Sequence, residues 1–192
     1  MSGLLPFVRV PAIRAPAAVP ARAWPQDPSS AVQAHFAHVA ATRMAGLPFV
    51  NPAIDVAVAD CRRVAGDWLA ALATPWCVAL VLLPGGGALW QDGAAGERRR
   101  VRLSAGELVF VVDVGEARLP AFQYCPLVAP LHDVADTAAA LQIARDAFAA
   151  ALLPPAPIAQ DGAVASAEAA TESRRRFLRR LVPGACRAAL LH

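Results

Sequence analysis

The spacing of hydrophobic positions changes along the chain from a helical period to a strand period and back. The first helical stretch follows Ser30, where Ser30 and Gln33 fit a capping box that satisfies two backbone amides at a helix start. We predict a helix from Ser30 that Gly46 and Pro48 end. Its apolar face consists of Val32, Phe36, Val39 and Ala40.

From Ile54 onward, short apolar runs alternate with turn residues, a pattern typical of β-strands. The intervals between the runs are too short for parallel crossover connections, so we expect antiparallel pairing. The predicted strands cover residues 54–59, 68–73, 77–83, 101–103, 108–112 and 122–127.

A second helix is predicted over residues 133–152, opened by Asp133 and stopped by Pro154 and Pro155. The predicted fold class is α+β: an antiparallel sheet of about five to six strands, with an N-terminal and a C-terminal helix packed on it. We expect these helices to cover one sheet face. The apolar face of the second helix consists of Val134, Leu141, Ala144, Phe148 and Leu152.

Proline content and charge mark the boundaries of this domain. Six prolines fall within residues 1–28, which predicts a disordered tail, and residues 29–153 form a single α+β domain. Residues 154–171, rich in Pro, Ala, Gly and Ser, predict a flexible linker. Residues 172–192 form a basic tail.

The net charge of +3 is carried by the tails, and all 18 basic residues are arginine. Residues 171–192 hold six Arg against one acid, whereas residues 29–170 sum to −4. Nucleic-acid binding calls for a basic folded face, so this distribution argues against that class. The most apolar stretch, residues 68–83, is shorter than the roughly 20 residues that span a bilayer. We therefore expect a soluble domain.

Candidate chemistry is sparse. The four cysteines show no metal-site spacing and are expected to be reduced thiols in the cytoplasm, because the N-terminus lacks a secretory signal pattern. His35 and His38 have no third ligand nearby, so they predict no metal site. The glycines at 85–87 lack the Lys-Ser/Thr ending of a phosphate loop. We find no catalytic constellation and predict a protein that is not an enzyme and holds no cofactor.

Two arginine runs stand out. The run at 98–102 is typical of a solvated edge strand, because charge on an edge discourages aggregation. Residues 173–178, Ser-Arg-Arg-Arg-Phe-Leu, resemble the twin-arginine export motif, yet they lie near the C-terminus and Pro183 interrupts the short apolar segment after them. Export by this motif is therefore not expected. Two interpretations stay open: a basic tail that docks on the acidic body, and a mimic of a client's signal peptide.

Five strings follow one another along the chain in a fixed order: RMAGLPFVNP at 43–52, TPW at 74–76, LLPG at 82–85, GELVF at 106–110 and YCPLVAPL at 124–131. Together they resemble the HybE-type nickel–iron hydrogenase assembly chaperone family, which includes the HupJ and HoxT groups. The resemblance covers about residues 30–152, and the Arg-Arg-x-Phe-Leu tail resembles the C-terminus of some members.

This resemblance implies a cytoplasmic, non-enzymatic chaperone. Its client would be the hydrogenase small-subunit precursor, which carries a twin-arginine signal, or the immature large subunit, with other maturation factors as further partners. Rigid aromatic side chains make good anchors at interfaces, and the motif-bearing tail adds a second candidate region. The predicted partner-binding residues are Thr74, Pro75, Trp76, Tyr124, Cys125, Arg174, Arg175, Phe177 and Leu178.

Two other classes of function stay open at this point. A small-ligand-binding β domain would use the same antiparallel strands. A peripheral membrane adaptor would place the basic tail on anionic lipid.

Overall fold

The computed structural model describes residues 20–154, and every structural statement below concerns that part of the chain. It contains six strands between an N-terminal and a C-terminal helix. In chain order the elements are α1 (Ser29–Thr42), β1 (Ala57–Val64), β2 (Asp67–Ala73), β3 (Val78–Leu83), β4 (Arg98–Leu103), β5 (Gly106–Glu116), β6 (Leu119–Val128) and α2 (Thr137–Leu152).

The six strands form one sheet in the order β1-β2-β3-β6-β5-β4, and every neighbouring pair is antiparallel. Strands β1, β2 and β3 make one meander, β4, β5 and β6 make a second, and the two meet where β3 pairs with β6. The α+β class, the antiparallel sheet and the two helices are confirmed. The arginine run at 98–102 falls on β4, which is an edge strand as predicted.

Both faces of the sheet centre are buried, so the prediction of a single covered face was wrong. Leu80 and Leu82 of β3 pack in the cluster that contains α2, whereas Val81 and Leu83 pack in the cluster that contains Val32 of α1. Successive strand residues point to opposite faces, and all six residues of β3 are buried. A continuous apolar run, rather than an alternating one, indicates a strand covered on both sides.

The helix starts differ from the predicted ones. Helix α1 begins after Pro28 and has no side-chain cap, so the capping box at Ser30 was wrong; Asp27 instead accepts the backbone N–H of Ser29 at 2.8 Å. Helix α2 is capped by Asp136, whose carboxylate accepts the backbone N–H of Ala139, and not by Asp133. Two acids three residues apart gave equivalent cap signals.

The face that α2 buries is made mostly of alanine. Small side chains let the helix backbone approach the sheet closely, and Phe148 fills the remaining space. Val134, predicted on this face, lies before the helix and is partly buried against the same cluster. The fully packed residues are Ala140, Ala144, Ala147, Phe148 and Ala151.

Within residues 20–28, which belong to the predicted tail, Trp24 packs against the sheet. Trp24 donates its backbone N–H to the carbonyl of Pro84 at 2.8 Å, and its carbonyl accepts the indole N–H of Trp68 at 3.0 Å. The Arg63 guanidinium stacks over the Trp68 ring at 4.7 Å. The ordered body therefore begins on the N-terminal side of residue 29.

Neither of the two helices described between residues 20 and 154 is long and apolar enough to cross a membrane.

Candidate functional site

Three connecting segments come together at one end of the sheet. Strand β1 begins, β2 ends, β3 begins and β6 ends there, as the pairs Ala57–Ala73 and Val78–Val128 require. The segments are residues 44–56, 74–77 and 126–137, and we call them the proline-rich end. Their prolines are Pro48, Pro52, Pro75, Pro126 and Pro130.

Asn51 ties the three segments of the proline-rich end together. Its side-chain amide donates to the carbonyls of Leu131 at 2.9 Å and Val134 at 2.8 Å, and its backbone N–H donates to the carbonyl of Pro75 at 2.8 Å. Its side-chain oxygen accepts the N–H of Ala53 at 3.0 Å. Proline has no N–H to donate, so a side-chain amide supplies bonds that a backbone ladder cannot.

The Thr74-Pro75-Trp76 turn joins β2 to β3. The Thr74 hydroxyl donates to the carbonyl of Cys77 at 2.8 Å and accepts the Cys77 N–H at 3.0 Å, which closes the turn. Thr74 and Pro75 are buried, and Trp76 is half-buried. Within this predicted site, Thr74 and Pro75 therefore shape the turn, and Trp76 is the side chain that a partner can contact.

Burial raises the pKa of the Cys77 thiol, and the hydrogen bond with Thr74 offsets only part of that effect. On the edge strand β1, burial raises the pKa of Cys61 to about 12, with a hydrogen bond to Asp27 as a further cause. Since the thiolate is the reactive form, neither thiol is activated at neutral pH.

Exposed apolar side chains concentrate near Asn51. Leu47 is 38% exposed and Phe49 40% exposed. Among residues 20–154, the other exposed large hydrophobic side chains are Val114 and Leu153. Exposed large apolar side chains close in sequence to Asn51, which bonds to the turn that carries the half-buried Trp76, are a feature of interaction sites.

The same end is acidic. Asp55, Asp133 and Asp136 are exposed there, and its three segments contain no arginine. The backbone N–H of Asp55 bonds to the Thr137 hydroxyl at 2.8 Å, which holds Asp55 beside the start of α2. Within the described residues neither Asp55 nor Asp133 forms an ion pair. The positive end of the α2 dipole offsets only about half of one charge, so the net field is negative.

Tyr124 and Cys125, predicted as one site, point to opposite faces of the sheet. Tyr124 is half-buried on the α1 face, where its ring lies 6.2 Å from that of Phe122. Cys125 is fully buried on the α2 face, so a partner does not reach its thiol in this structure. Tyr124 also lies four residues before Val128, roughly 13 Å along the strand from the Trp76 turn.

Arg174, Arg175, Phe177 and Leu178, the remaining predicted site residues, lie outside the described part of the chain. Their role as partner-binding residues stays a prediction.

The glycines at 85–87 form a cradle of backbone amides that binds an anion from the chain itself. One carboxylate oxygen of Asp67 accepts the N–H groups of Gly85 at 2.7 Å and Gly87 at 2.9 Å. The other accepts those of Leu89 and Trp90, both at 2.8 Å. Burial of Asp67 favours a higher pKa, but the four donors outweigh it, and the pKa is lowered below the ordinary value. The plain loop predicted here is therefore a fixed structural element.

His35 is a core residue of the α1 face. It is 3% exposed and makes edge contacts with the rings of Phe36 and Phe122, at 5.2 and 5.4 Å between centroids. Burial lowers its pKa, which keeps the ring neutral at physiological pH. Among residues 20–154 no group of three His, Cys, Asp or Glu side chains is placed to hold a metal ion.

Sequence patterns did not point to Asn51, Leu47, Phe49 or the three acids. A single asparagine between two prolines carries no periodic signal, and the acids belong to segments 80 residues apart. The usable signal was the string RMAGLPFVNP at 43–52, whose apolar residues fit no helix or strand period.

Replacement of Asn51 by alanine is expected to destabilise the proline-rich end. The carbonyl of Val134 would lose its side-chain donor and that of Leu131 would keep only the backbone N–H of Val134, so we expect a loss of about 2 kcal/mol in the free energy of unfolding, measured by urea denaturation. The matched control is Gln142→Ala, which removes an exposed amide bonded to Asp146 and should cost less than about 0.5 kcal/mol. Equal losses in the two variants would contradict the bridging role.

A family model described as "[NiFe]-hydrogenase assembly, chaperone, HybE" matches residues 27–180. The hydrogenase-2 operon protein HybE of Escherichia coli K12 is 31% identical over 105 residues, which cover 55% of this chain and 64% of that protein. The match thus spans slightly less than two thirds of that relative's length. The hydrogenase expression/formation protein HoxT of Azotobacter vinelandii is 33% identical over 156 residues, which cover 81% of this chain and 96% of that protein.

The fold also matches a solved structure. The solution structure of HybE from Escherichia coli is similar with a TM-score of 0.56 and 28% identity, over 74% of this chain and 90% of that one.

Proposed function

The chain belongs to the HybE family of [NiFe]-hydrogenase assembly chaperones, and from this we propose that it binds an immature hydrogenase subunit through the proline-rich end. The client is the small-subunit precursor with its twin-arginine signal, or the large subunit, held in the cytoplasm before export. The role is binding rather than catalysis, and it needs no cofactor.

The observation that carries this proposal is the convergence of three family-like strings at one end of the fold. Parts of the strings at 43–52, 74–76 and 124–131, which are distant in sequence, meet there, because Asn51 bonds to Pro75 and Leu131 and to the neighbouring Val134. Leu47 and Phe49 are exposed beside this junction, and Trp76 is half-buried. If these apolar side chains served only to build the core, they would be buried. A role in binding a partner explains why they are exposed.

The charge of the surface favours the small-subunit precursor over the large subunit. A twin-arginine signal combines adjacent arginines with an apolar stretch. The exposed acids Asp55, Asp133 and Asp136 complement the arginines, and the apolar side chains of Leu47 and Phe49 complement the apolar stretch. Complementary charge mainly speeds association and rejects wrong partners, while the apolar anchors supply affinity.

The test is co-purification of the tagged full-length chain from a hydrogenase-producing host, with mass spectrometry to identify the captured subunit. We expect Leu47→Ser combined with Phe49→Ser to reduce capture of the subunit about tenfold or more. The matched control is Val114→Ser combined with Leu153→Ser, because it removes two apolar side chains elsewhere that are even more exposed, 57% and 61%, and should leave capture unchanged.

Equal capture by the two double variants would exclude the proline-rich end as the binding surface. Recovery of neither subunit by the unaltered chain would contradict the chaperone role. In that case, a small molecule retained in the purified protein would favour the ligand-binding alternative. Co-sedimentation with anionic vesicles that is lost on removal of residues 171–192 would favour the membrane adaptor.

A further inference from the structure

The chain carries its own segment that resembles the expected client. Residues 174–178, Arg-Arg-Arg-Phe-Leu, place adjacent arginines before two apolar residues. We propose that this segment docks on the proline-rich end of the same molecule, at the place a client would occupy. The docking does not depend on the proposed function. Competition between this segment and a client does rest on the proposed function.

Charge favours this placement over other surfaces. Residues 171–192 carry +5, and the proline-rich end carries three exposed acids and no arginine. The nearest alternative is the sheet edge at β4, because the backbone bond of Ala105 to Ala151 at 3.1 Å brings the end of α2 to the β4–β5 turn. That edge exposes Arg98, Arg100 and Arg102; the last two share a single acid, Glu107, so an excess of positive charge remains that repels an arginine-rich segment.

The connection has the right length. Asp136 at the start of α2 belongs to the proline-rich end, and the chain leaves the other end of this 16-residue helix at Pro154. The distance to cover is therefore about 24 Å, the length of the helix. About 20 residues separate Pro154 from Arg174. Their composition, rich in Pro, Ala, Gly and Ser, is that of linkers, and a linker chain of about 20 residues has a root-mean-square span of about 25 Å.

A linker whose mean span equals the distance between its attachment point and its site gives the highest effective concentration, in the millimolar range. Weak contacts are then sufficient for docking. The arginines at 174–176 would face Asp55 and Asp133, which have no ion pair within the described residues. Phe177 and Leu178 would cover the exposed Leu47 and Phe49. A client must displace this segment, so only a stronger twin-arginine ligand gains access.

The test uses the full-length chain without any client. Benzoylphenylalanine is introduced at position 177, the protein is irradiated, and the cross-linked residues are mapped by mass spectrometry. We expect cross-links within one molecule to residues 44–56 or to Trp76. Asp55→Asn combined with Asp133→Asn should reduce their yield severalfold, because the arginines lose their partners. The matched control, Asp92→Asn combined with Asp146→Asn, removes two exposed acids elsewhere and should leave the yield unchanged.

Cross-links to the β4 edge, or yields that fall equally in both double variants, would overturn the proposal. Covalent dimers whose yield rises with protein concentration would also overturn it, because the occupant would then be a second copy. Capture of a client is measured separately, with Arg174→Ser and Arg175→Ser combined. Increased capture supports competition. Unchanged capture would exclude competition but would leave the chaperone role intact. If neither the unaltered chain nor the variant captures a client, the chaperone role is contradicted, and the cross-link result still stands.

Discussion

Replacement of Asp67 by asparagine is expected to lower the free energy of unfolding by about 4 kcal/mol, the largest polar effect in the described part of the chain. The carboxylate is fully buried and accepts four backbone N–H groups, from Gly85, Gly87, Leu89 and Trp90. An amide has one acceptor oxygen, so its NH₂ group would face two of these donors. Each buried donor left without an acceptor costs about 1–3 kcal/mol.

The effect of this substitution should depend on pH. Because the pKa of Asp67 is lower in the folded state than the ordinary value near 4, its ionised form stabilises the fold above about pH 4. That contribution is lost as the pH falls through the lowered folded-state value. The difference in stability between the unaltered chain and Asp67→Asn should therefore be full at pH 7 and shrink below pH 4.

Urea denaturation at pH 7 and at pH 3 measures both effects. Asp60→Asn is the control, since Asp60 is only partly buried and is paired with Arg62, and an ion pair of this kind contributes at most about 1 kcal/mol. A loss below about 1 kcal/mol for Asp67→Asn at pH 7 would show that other interactions hold the 85–90 loop.

Replacement of Gly87 by alanine is expected to cost about 3 kcal/mol or more, for a steric reason. A Cβ atom at Gly87 would lie 2.5 Å from the backbone nitrogen of Asp67, and it would also collide with the carbonyl oxygen of Ala65. Both contacts are with backbone atoms, which cannot rotate away as a side chain does. The hairpin turn at Ala65 and Gly66 would have to separate from the loop, and the bonds of Asp67 would be stretched.

Gly86→Ala is the control for this prediction, because a Cβ atom there would meet nothing closer than 4.0 Å. The positive φ of +88° at Gly86 still disfavours alanine, at a cost of about 1 kcal/mol. In thermal unfolding, Gly87→Ala should therefore lower the melting temperature more than Gly86→Ala does. The reverse order would mean that backbone strain, rather than close contact, requires glycine in this loop.

The pattern of apolar residues predicts the central strands best. The prediction for 68–73 differs from β2, Asp67–Ala73, by one residue, because buried strands are continuous apolar runs bounded by turns. The apolar pattern predicts the exposed edge strand less well. Strand β4 begins at Arg98, where three successive arginines carry no apolar period, and the prediction began at residue 101.

Strand β1 shows a second reason why strand bounds are hard to predict from the sequence. The prediction covered residues 54–59, whereas β1 is Ala57–Val64. Ile54 is buried from the connecting segment, and the second half of the strand is polar because Arg62 and Arg63 lie over aromatic rings. A local apolar run cannot distinguish a strand residue from a core residue that belongs to a loop.

The candidate site was predictable only in part. Trp76 could be singled out as a large side chain in a turn, but the partners of Asn51 depend on how the sheet brings the ends of β1, β3 and β6 together. Tyr124 and Cys125 are adjacent in sequence and point to opposite faces once strand alternation is applied. Contacts between segments 80 residues apart have no local signature.

The seam between β3 and β6 has a consequence for the way the chain folds. Each meander closes through short hairpins, but the seam pairs Leu82 with Gln123, about 40 residues away, so it carries the largest loop-closure entropy of the sheet. Strand β3 is apolar on both faces and does not fix its own register. A slip of one residue would move Cys125 from the α2 face to the α1 face. We therefore expect the two meanders to form first as local units and their alignment to be fixed last, when α1 and α2 pack on opposite faces.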